Sequence, residues 1–358
     1  MRTTAKAGLT LLIVVVGLKF LTDFEFGLLV EKIRQVNTTL VVIAGVVYSV
    51  SWPIRGKRYK DILKRIGFEG GLGFLTGAVF ISQTGNLIFP ARAGDAARAY
   101  MIKSRRSIPY SSGFASLAVE RLFDLLAVTF LGGVALTWFL INPGSRLTDL
   151  VYTGTADPSA LTALIASVLV GVGTVVVFGL LVMNPGKKLG IKLDPPVSSP
   201  GFGYVSKIID AARGFLNDTR SVVNDKKAFV GLSTVSLLIW SLDVLTGIIV
   251  FVAFGVQLPL VDIVFLTLLG VSVGNLSKTL PLSPGGIGLY EAGFGIIVVS
   301  LSPLTWTIAI GVAIVDHAVK NLVTVVGGVF SVLLLNVSLT RAVDEAKSER
   351  SKRKEKTV

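Results

Sequence analysis

Long apolar runs separated by short polar loops dominate this chain. They extend over residues 7–22, 38–54, 70–90, 112–141, 160–183, 228–254, 259–281, 284–302 and 304–337. Several of them reach the roughly 20 residues that a helix needs to cross the hydrocarbon core of a bilayer. Charged residues make up only 16% of the chain, against about 25% in a soluble domain. The pattern predicts an all-α, polytopic integral membrane protein.

Two of the apolar runs are interrupted in the same way. Gly85-Asn86-Leu87 and Gly274-Asn275-Leu276 each close a run, and each is followed by proline, glycine and then a carboxylate. A break of this kind is tolerated in a membrane where the freed backbone groups are buried in protein or line a cavity. Paired interrupted segments in the two halves of a membrane protein point to a transport site.

The basic residues lie in short loops between the apolar runs. This distribution explains the net charge of +13 by the positive-inside rule and argues against nucleic-acid binding. The loop 55–65 is the most basic, and it predicts a short amphipathic helix on the cytoplasmic surface. The N-terminus is then cytoplasmic too. No small-residue cleavage site follows the run 7–22, so we expect a retained first membrane helix there.

The run 70–90 decides the remaining topology. If it crosses the membrane, twenty basic residues in 92–111, 184–228 and the C-terminal tail lie on the outside. If it enters and returns on the cytoplasmic side, folding back near Gly77 or Gly85, all of them lie inside. We therefore expect a re-entrant hairpin in this region, with both termini in the cytoplasm.

A second broken hairpin, entering from the opposite face, is expected over residues 259–302. Charge does not decide whether its turn at 281–286 lies within the bilayer or at the surface. The two hairpins predict inverted structural repeats inside one transmembrane domain. Its expected parts are the domain 1–340, repeat halves near 60–183 and 228–337, a linking cytoplasmic helix 204–223, and a charged cytoplasmic tail 341–358.

Three charges fall within one helical turn at Glu120, Arg121 and Asp124. Glu120 and Asp124 share a helix face at i,i+4, and Arg121 reaches Asp124 at i,i+3. An unpaired charge at the bilayer centre costs roughly 2.5–3.5 kcal/mol. We therefore expect a paired cluster that faces inward. The alternative is an arginine that lies at the cytoplasmic interface beside a partner.

A second charged cluster lies in the middle of the last apolar run. Asp316 and Lys320 are spaced i,i+4 in the favourable order, which fits either a functional pair or a structural ion pair at a helix junction. His317 is the one histidine of the chain, and it is either a proton relay or a packing residue. Asp243 is a weaker candidate, and the alternative is a bond to a neighbouring helix. The candidate proton relays are Asp124, Glu291 and His317.

The glycine-rich segment 285–288 has the features of an anion site. It lacks the Gly-Lys-Ser/Thr ending of a P-loop, which argues against nucleotide binding. Its glycines allow close approach of the backbone, and the helix that follows would present free N–H groups to an anion. The alternative is tight packing of short helices. Arg92, Arg98 and Lys278 add positive charge near the two breaks.

Three motifs together resemble one family. Residues 90–98 resemble its Pro, Gly-acid, Arg motif, residues 120–124 its Glu-Arg-x-x-Asp helix, and residues 280–291 its Pro-x-x-Pro-Gly-Gly-x-Gly-x-x-Glu loop. This is the flippase-like family formed by the transmembrane region of lysylphosphatidylglycerol synthases and their stand-alone relatives. The resemblance extends over about residues 7–337. It implies inverted repeats, re-entrant helices and translocation of aminoacylated phosphatidylglycerol or of polyprenyl-phosphate-linked sugars.

The chain departs from the family pattern in three places. About 18 residues follow the last apolar run, so we do not expect the chain itself to make lysyl-lipid. Asp95 stands where glutamate is commoner. Asp316 and His317 stand where relatives often have a Tyr-Arg pair, although Lys320 keeps a cation nearby.

We therefore predict a flippase or scramblase of the cell membrane that moves an anionic phospholipid or a polyprenyl-phosphate-linked glycolipid. The alternatives are a membrane enzyme that acts on such a lipid and a structural membrane protein that transports nothing. The predicted substrate-binding residues are Arg92, Asp95, Arg98, Glu120, Arg121, Asp124, Lys278, Pro284, Gly285, Gly286, Gly288, Glu291 and Lys320. We expect Arg92, Glu120, Arg121, Asp124 and Glu291 to line one polar cavity between the hairpins.

The remaining expectations concern chemistry and partners. The chain contains no cysteine, no nucleophile–base pair and no Asp-x-x-Asp metal loop, so we expect no enzymatic activity, no metal and no cofactor. The expected partner is a membrane lipid with a phosphate headgroup. A homo-oligomer is compatible with the sequence.

Overall fold

The computed structural model describes residues 26–89, 92–142, 218–219, 221–222, 225–278 and 283–336, and these are helical throughout apart from turns. The helices are α1 (Phe26–Arg34), α2 (Thr38–Arg65), α3 (Leu72–Ile88), α4 (Ala93–Arg106), α5 (Tyr110–Ile141), α6 (Lys226–Ala253), α7 (Leu260–Ser277), α8 (Leu289–Leu301) and α9 (Trp306–Leu335), with a 3₁₀ turn at Pro284–Gly286. Six of the described helical segments are long and apolar enough to cross a membrane. The predicted all-α, polytopic class is confirmed.

The exposure pattern of α9 is inverted relative to a soluble helix. Leu322, Val326 and Phe330 are exposed on one face, whereas Lys320 and Thr324 are buried on the other. A soluble protein places the apolar face inside and the polar face outside. The arrangement of α9 fits an environment in which the outer solvent is lipid and the polar groups find their partners inside the bundle.

Helix α2 is longer than the sequence pattern predicts. It continues as one helix through Pro53 to Arg65, so the predicted separate surface helix over residues 55–65 is wrong. Proline has no N–H to donate to the carbonyl of Ser49, yet the helix continues beyond it. The reason lies in tertiary packing, because Arg58 and Tyr59 are buried at 1% and 0% exposure instead of facing the cytoplasm.

Helices α3 and α4 form hairpin 1, and its two legs cross at glycines. Helix α3 runs unbroken past Gly77 and Gly85 to Ile88, so the chain does not fold back near Gly77, and the reversal predicted near Gly85 lies a few residues beyond it. The chain instead reverses after α3 and enters α4 through Arg92, whose φ of 55° lies in the left-handed region. A Cβ on Gly94 would lie 1.9 Å from the carbonyl oxygen of Ser82. Only glycine permits this crossing.

Helices α7 and α8 form hairpin 2, which repeats the local design of hairpin 1. The predicted break after Gly274-Asn275-Leu276 is present, since α7 ends at Ser277 and α8 begins at Leu289. A Cβ on Gly274 would lie 2.8 Å from the ring of Tyr290, and a Cβ on Gly85 would lie 2.7 Å from the Cα of Gly94. The first glycine of each Gly-Asn-Leu segment is therefore the point of close approach between the two legs of its hairpin.

Several predictions on organisation are not tested by this structure. The runs 7–22 and 160–183, the tail 341–358 and most of the helix 204–223 lie outside the described residues. The inverted relation of the two halves, the re-entry of either hairpin into the bilayer and the cytoplasmic placement of the termini stay predictions.

Candidate functional site

A cavity of about 470 Å³ lies where the two hairpins meet. The hairpin tips are in contact, because a Cβ on Gly285 would lie 2.8 Å from the side chain of Leu87. The wall includes both Gly-Asn-Leu segments, through Asn86, Leu87, Asn275 and Leu276. Helices α2, α5, α6 and α9 complete it. The two Gly-Asn-Leu segments, which are similar in sequence, therefore also lie together at one cavity.

The cavity wall is positively charged. Among the described residues, five cationic side chains and two carboxylates line it. The cations are Arg55, Arg92, Arg121, Lys278 and Lys320, and the carboxylates are Asp124 and Asp243. Asp95 and Asp316, just behind the wall, also pair with Arg121 and Lys320, so the positive excess is carried by Arg92 and Lys278. A low-dielectric surrounding strengthens the field of such an excess, so the cavity favours an anion.

Arg92 and Lys278 supply positive charge that no described carboxylate neutralises in an ion pair. Arg92 lies at the turn of hairpin 1, and none of the ion pairs between described residues involves it. The Nζ of Lys278 lies 4.8 Å from the centroid of the Tyr290 ring, in a cation–π contact. These two side chains come from the breaks of hairpin 1 and hairpin 2, respectively.

A buried charge network lies directly behind the wall at α5. Its members are Arg58, Arg98 and Arg121 with Asp95, Glu120 and Asp124. Arg58 Nη1 donates to Asp124 Oδ1 at 2.7 Å and to Ser236 Oγ at 2.8 Å. Arg98 Nη1 donates to Glu120 Oε2 at 2.8 Å. The three cations and three anions balance, which is what burial of charge in a membrane protein requires.

The charge network confirms the inward-facing cluster predicted on α5. Arg121 lies 3.5 Å from Asp124 at i,i+3, and it also lies 3.4 Å from Asp95 on α4. Asp95 lies outside the six candidate spans. Burial alone would raise the pKa of Asp95, but Arg121, Arg98 and hydrogen bonds from Asn86 and Ser82 outweigh it and hold this pKa at about 2. Asp95 therefore stays ionised and links hairpin 1 to α5.

A second polar group, the lysine cluster, is formed by Lys320, Asp316, Asp243 and Tyr290. Lys320 Nζ donates to Asp316 Oδ2 at 2.8 Å and to Asp243 Oδ1 at 2.7 Å. The Tyr290 hydroxyl donates to Asp316 Oδ2 at 2.5 Å. The i,i+4 ion pair predicted on α9 is confirmed, and so is a bond from Asp243 to a neighbouring helix. Lys320 thus joins α9 to α6.

The family model described as "Lysylphosphatidylglycerol synthase TM region" matches residues 7–328. The chain belongs to this family. The predicted family is therefore confirmed, and with it a multi-pass membrane protein.

Individual relatives support the same family assignment. A Haloferax volcanii protein named glycosyltransferase AglD is 44% identical over 99% of this chain and 58% of its own length. A UPF0104 membrane protein of Methanothermobacter thermautotrophicus is 26% identical over 65% of this chain and 66% of its own length. UPF0104 membrane protein MJ1078 of Methanocaldococcus jannaschii is 23% identical over 74% of this chain and 98% of its own length. Comparison with solved structures gave no match.

The name of the Haloferax volcanii relative overturns one expectation. We expected a protein without enzymatic activity, and a relative with 44% identity over 99% of the chain is named a glycosyltransferase. The expectation rested on missing signatures, namely a nucleophile–base pair and an acidic metal loop. Such signatures cover only some reaction classes, so their absence from a sequence does not establish that a protein lacks activity. This chain spans 58% of the length of that relative.

Only some of the residues predicted to line the cavity do so. Arg92, Arg121 and Asp124 line it, whereas Glu120 and Glu291 do not. Glu120 is turned toward Arg98 in the charge network. Of the other candidates, Lys278, Pro284, Gly285, Gly286 and Lys320 line the cavity, whereas Asp95, Arg98 and Gly288 lie outside its wall. Their roles in substrate binding stay predictions.

Glu291 was expected to line the cavity, but it bonds to its own helix N-terminus and to His317. The helix N-terminus after the glycine-rich segment was predicted to offer free N–H groups to an anion, but the N–H of Gly288 donates to Glu291 Oε2 at 2.6 Å. The other oxygen, Glu291 Oε1, lies 2.7 Å from His317 Nδ1. The carboxylate of α8 therefore caps its own helix and holds the imidazole of α9.

Two arginines of the site were missed by sequence reasoning. Arg55 lines the cavity, and Arg58 forms an ion pair with Asp124 behind the cavity wall. Both were assigned to a cytoplasmic surface because they lie in a basic segment. A signal was present, because Tyr48, Trp52 and Tyr59 recur at helical spacing on both sides of Pro53. That stripe predicts one continuous buried helix face.

Proposed function

We propose that this chain binds the phosphate headgroup of a membrane lipid in the cavity and moves the lipid across the cell membrane as a flippase or scramblase. The observation that carries this proposal is the positive charge of Arg92 and Lys278 on the cavity wall. Arginine binds phosphate through the paired N–H donors of its planar fork. Arg92 and Lys278 keep their charge available because no described carboxylate pairs with them.

The lipid's chains and headgroup have separate environments in this arrangement. Exposed apolar side chains such as Val42, Val46 and Leu334 cover the outer faces of α2 and α9, where acyl or prenyl chains would remain in the bilayer. The headgroup would occupy the cavity at the meeting point of the two broken hairpins. Discontinuous helices at a central site are the usual construction of transporters. The proposed substrates are an anionic phospholipid and a polyprenyl-phosphate-linked glycolipid.

Changing Arg92 to glutamine is expected to weaken binding of a lipid phosphate by about tenfold to a hundredfold, because a hydrogen bond to a charged group contributes roughly 1.5–3 kcal/mol. The change strands no described carboxylate, since Arg92 has no such ion pair. It also keeps a side chain at the same left-handed backbone position. Binding is measured with purified protein in detergent, using dioctanoyl phosphatidylglycerol and a short polyprenyl phosphoryl-hexose as probes.

The matched control for this change is Arg105→Gln. Arg105 lies on α4, the helix that Arg92 precedes; it is exposed, does not line the cavity, and donates to the carbonyl groups of Leu335 and Asn336. Its loss removes one positive charge but no cavity contact, so binding is expected to stay within about twofold of wild type because exposed charges are screened. Transport is measured in liposomes that carry a fluorescent lipid, by bleaching of the outer leaflet. Equal binding by Arg92→Gln and Arg105→Gln variants would contradict the proposal.

Glycosyl transfer to or from a lipid phosphate is the second candidate function. The observation that favours it is the relative named a glycosyltransferase at 44% identity. The test is to incubate the purified chain with a polyprenyl phosphoryl-hexose and an acceptor, and to follow products by mass spectrometry. Product that disappears in an Asp124→Asn variant would favour transfer chemistry. Movement of the fluorescent lipid without product would favour translocation.

A further inference from the structure

His317 has two ring nitrogens in different situations. Its Nδ1 lies 2.7 Å from Glu291 Oε1. Its Nε2 is buried and finds no hydrogen-bond partner among the described residues. The side chain is 3% exposed, and His317 lines the cavity whereas Glu291 does not. Nε2 is therefore the ring nitrogen left to bond a molecule in the cavity, and because Nε2 is buried this contact requires its neighbours to move.

The ionised carboxylate of Glu291 assigns the proton of the neutral ring to one nitrogen. The N–H of Gly288 donates to one oxygen of Glu291, and the other oxygen faces His317 Nδ1. A glutamate is ionised at neutral pH, since its ordinary pKa is about 4.3. An ionised Glu291 can only accept, which assigns the proton of the neutral ring to Nδ1. Nε2 then carries a lone pair and is an acceptor.

An acceptor at Nε2 does not match a phosphodiester, whose exposed oxygens are also acceptors. The mismatch disappears when Nε2 gains a proton, because it then donates to a phosphate oxygen. The resulting imidazolium lies between two anions, the carboxylate of Glu291 and the phosphate. Its other charged neighbours are Lys278, which opposes a second positive charge, and Asp316, which favours it but is already paired with Lys320.

We infer that Glu291 and His317 form a carboxylate–imidazole pair that takes up one proton from solvent when an anionic headgroup enters the cavity, and releases it when the headgroup leaves. The inference rests on the proposed function, because it requires that an anionic headgroup binds in the cavity. Binding of the lipid is then coupled to uptake of a proton by the Glu291–His317 pair.

The coupling has a direct spectroscopic test because His317 is the one histidine in 358 residues. Protein labelled with ¹⁵N in histidine, purified through a peptide tag without histidine and freed of lipid, gives two ring-nitrogen signals. At pH 7.5 we expect a protonated Nδ1 and an unprotonated Nε2. Saturating dioctanoyl phosphatidylglycerol, or the short polyprenyl phosphoryl-hexose, should convert both nitrogens to the protonated form. An Nε2 that stays unprotonated at saturation, or is protonated before lipid is added, overturns the inference.

Affinity provides a second readout. Both probes are phosphodiesters, so their own charge is constant between pH 6.5 and 8.5. Uptake of one proton predicts that wild-type binding weakens by up to about tenfold for each unit rise in pH. The His317→Gln variant should lose this slope. A wild-type protein without a slope overturns the inference.

Glu291→Gln is the variant that keeps the test valid if His317→Gln fails to fold. Glutamine retains a hydrogen bond to Nδ1 but lacks the negative charge that balances the imidazolium. The protonation of Nε2 on lipid binding should then require a lower pH than in wild type. An unchanged pH profile in Glu291→Gln overturns the role of the pair.

Binding that depends on Arg92 but not on pH would leave the proposed function intact and reject only the proton coupling, whereas no binding of either probe would reject both.

Discussion

Replacing Arg58 with leucine is expected to lower the free energy of unfolding by about 3–5 kcal/mol, because removal of one partner leaves a buried charge uncompensated. Arg58 is 1% exposed, and its Nη1 lies 2.7 Å from Asp124 Oδ1. It also donates to Ser236 on α6. Its loss therefore disconnects α2 from both α5 and α6 at one point. The measurement is unfolding of the purified protein in detergent, followed by tryptophan fluorescence.

The control for this prediction is Lys57→Ala, one position earlier on the same helix. Lys57 forms an exposed ion pair with Asp61, with side chains that are 61% and 42% exposed. Such pairs contribute about 0.2–1 kcal/mol. The double variant Arg58→Leu with Asp124→Asn should recover part of the loss, since the stranded carboxylate is removed. Similar unfolding energies for Arg58→Leu and Lys57→Ala would refute the prediction.

Changing Gly94 to alanine is expected to destabilise the protein by about 3 kcal/mol or more, at the upper end of the cost of overpacking. The new Cβ would lie 1.9 Å from the Ser82 carbonyl oxygen and 2.6 Å from the Asn86 amide nitrogen. Both are backbone atoms, so neither can rotate away. Separation of α3 from α4 would also break the hydrogen bonds that Ser82 and Asn86 donate to Asp95.

Gly133→Ala is the matched control for the crossing of hairpin 1. No atom of the described residues lies within 4 Å of a Cβ at Gly133, which is within helix α5. Alanine there should stabilise the helix by up to about 1 kcal/mol, because glycine is the poorer helix former. The two variants are compared by thermal unfolding in the same detergent. A Gly94→Ala protein as stable as wild type would show that the legs of hairpin 1 do not need this close approach.

Patterns that act within one helix could be predicted from the sequence. The i,i+4 pair of Asp316 with Lys320 and the i,i+3 pair of Arg121 with Asp124 are both present. These pairs depend only on helical geometry, which is the same in every helix. The breaks after the two Gly-Asn-Leu segments could be predicted for the same reason, because proline and glycine end a helix through local backbone effects.

Contacts between distant segments could not be predicted in this way. Arg58 lies in a stretch whose composition is that of a surface loop, and its burial depends on Asp124, 66 positions away. Glu291 was expected to face the cavity, but it turns to His317, 26 positions away. Which of several nearby partners a charge takes is decided by packing, and a helix-periodic pattern carries no information on it.

The balance of the charge network has a consequence for the response to membrane voltage. Arg58, Arg98 and Arg121 cancel Asp95, Glu120 and Asp124, and all six are held in the protein. An electric field therefore exerts little net force on that block, and acts mainly on the headgroup and on protons that move with it. A single charge that crosses the whole field changes its free energy by about 2.3 kcal/mol per 100 mV. Imposing a potassium diffusion potential on liposomes should bias the movement of a lipid monoanion, while a monoanion that carries one proton with it should move without bias.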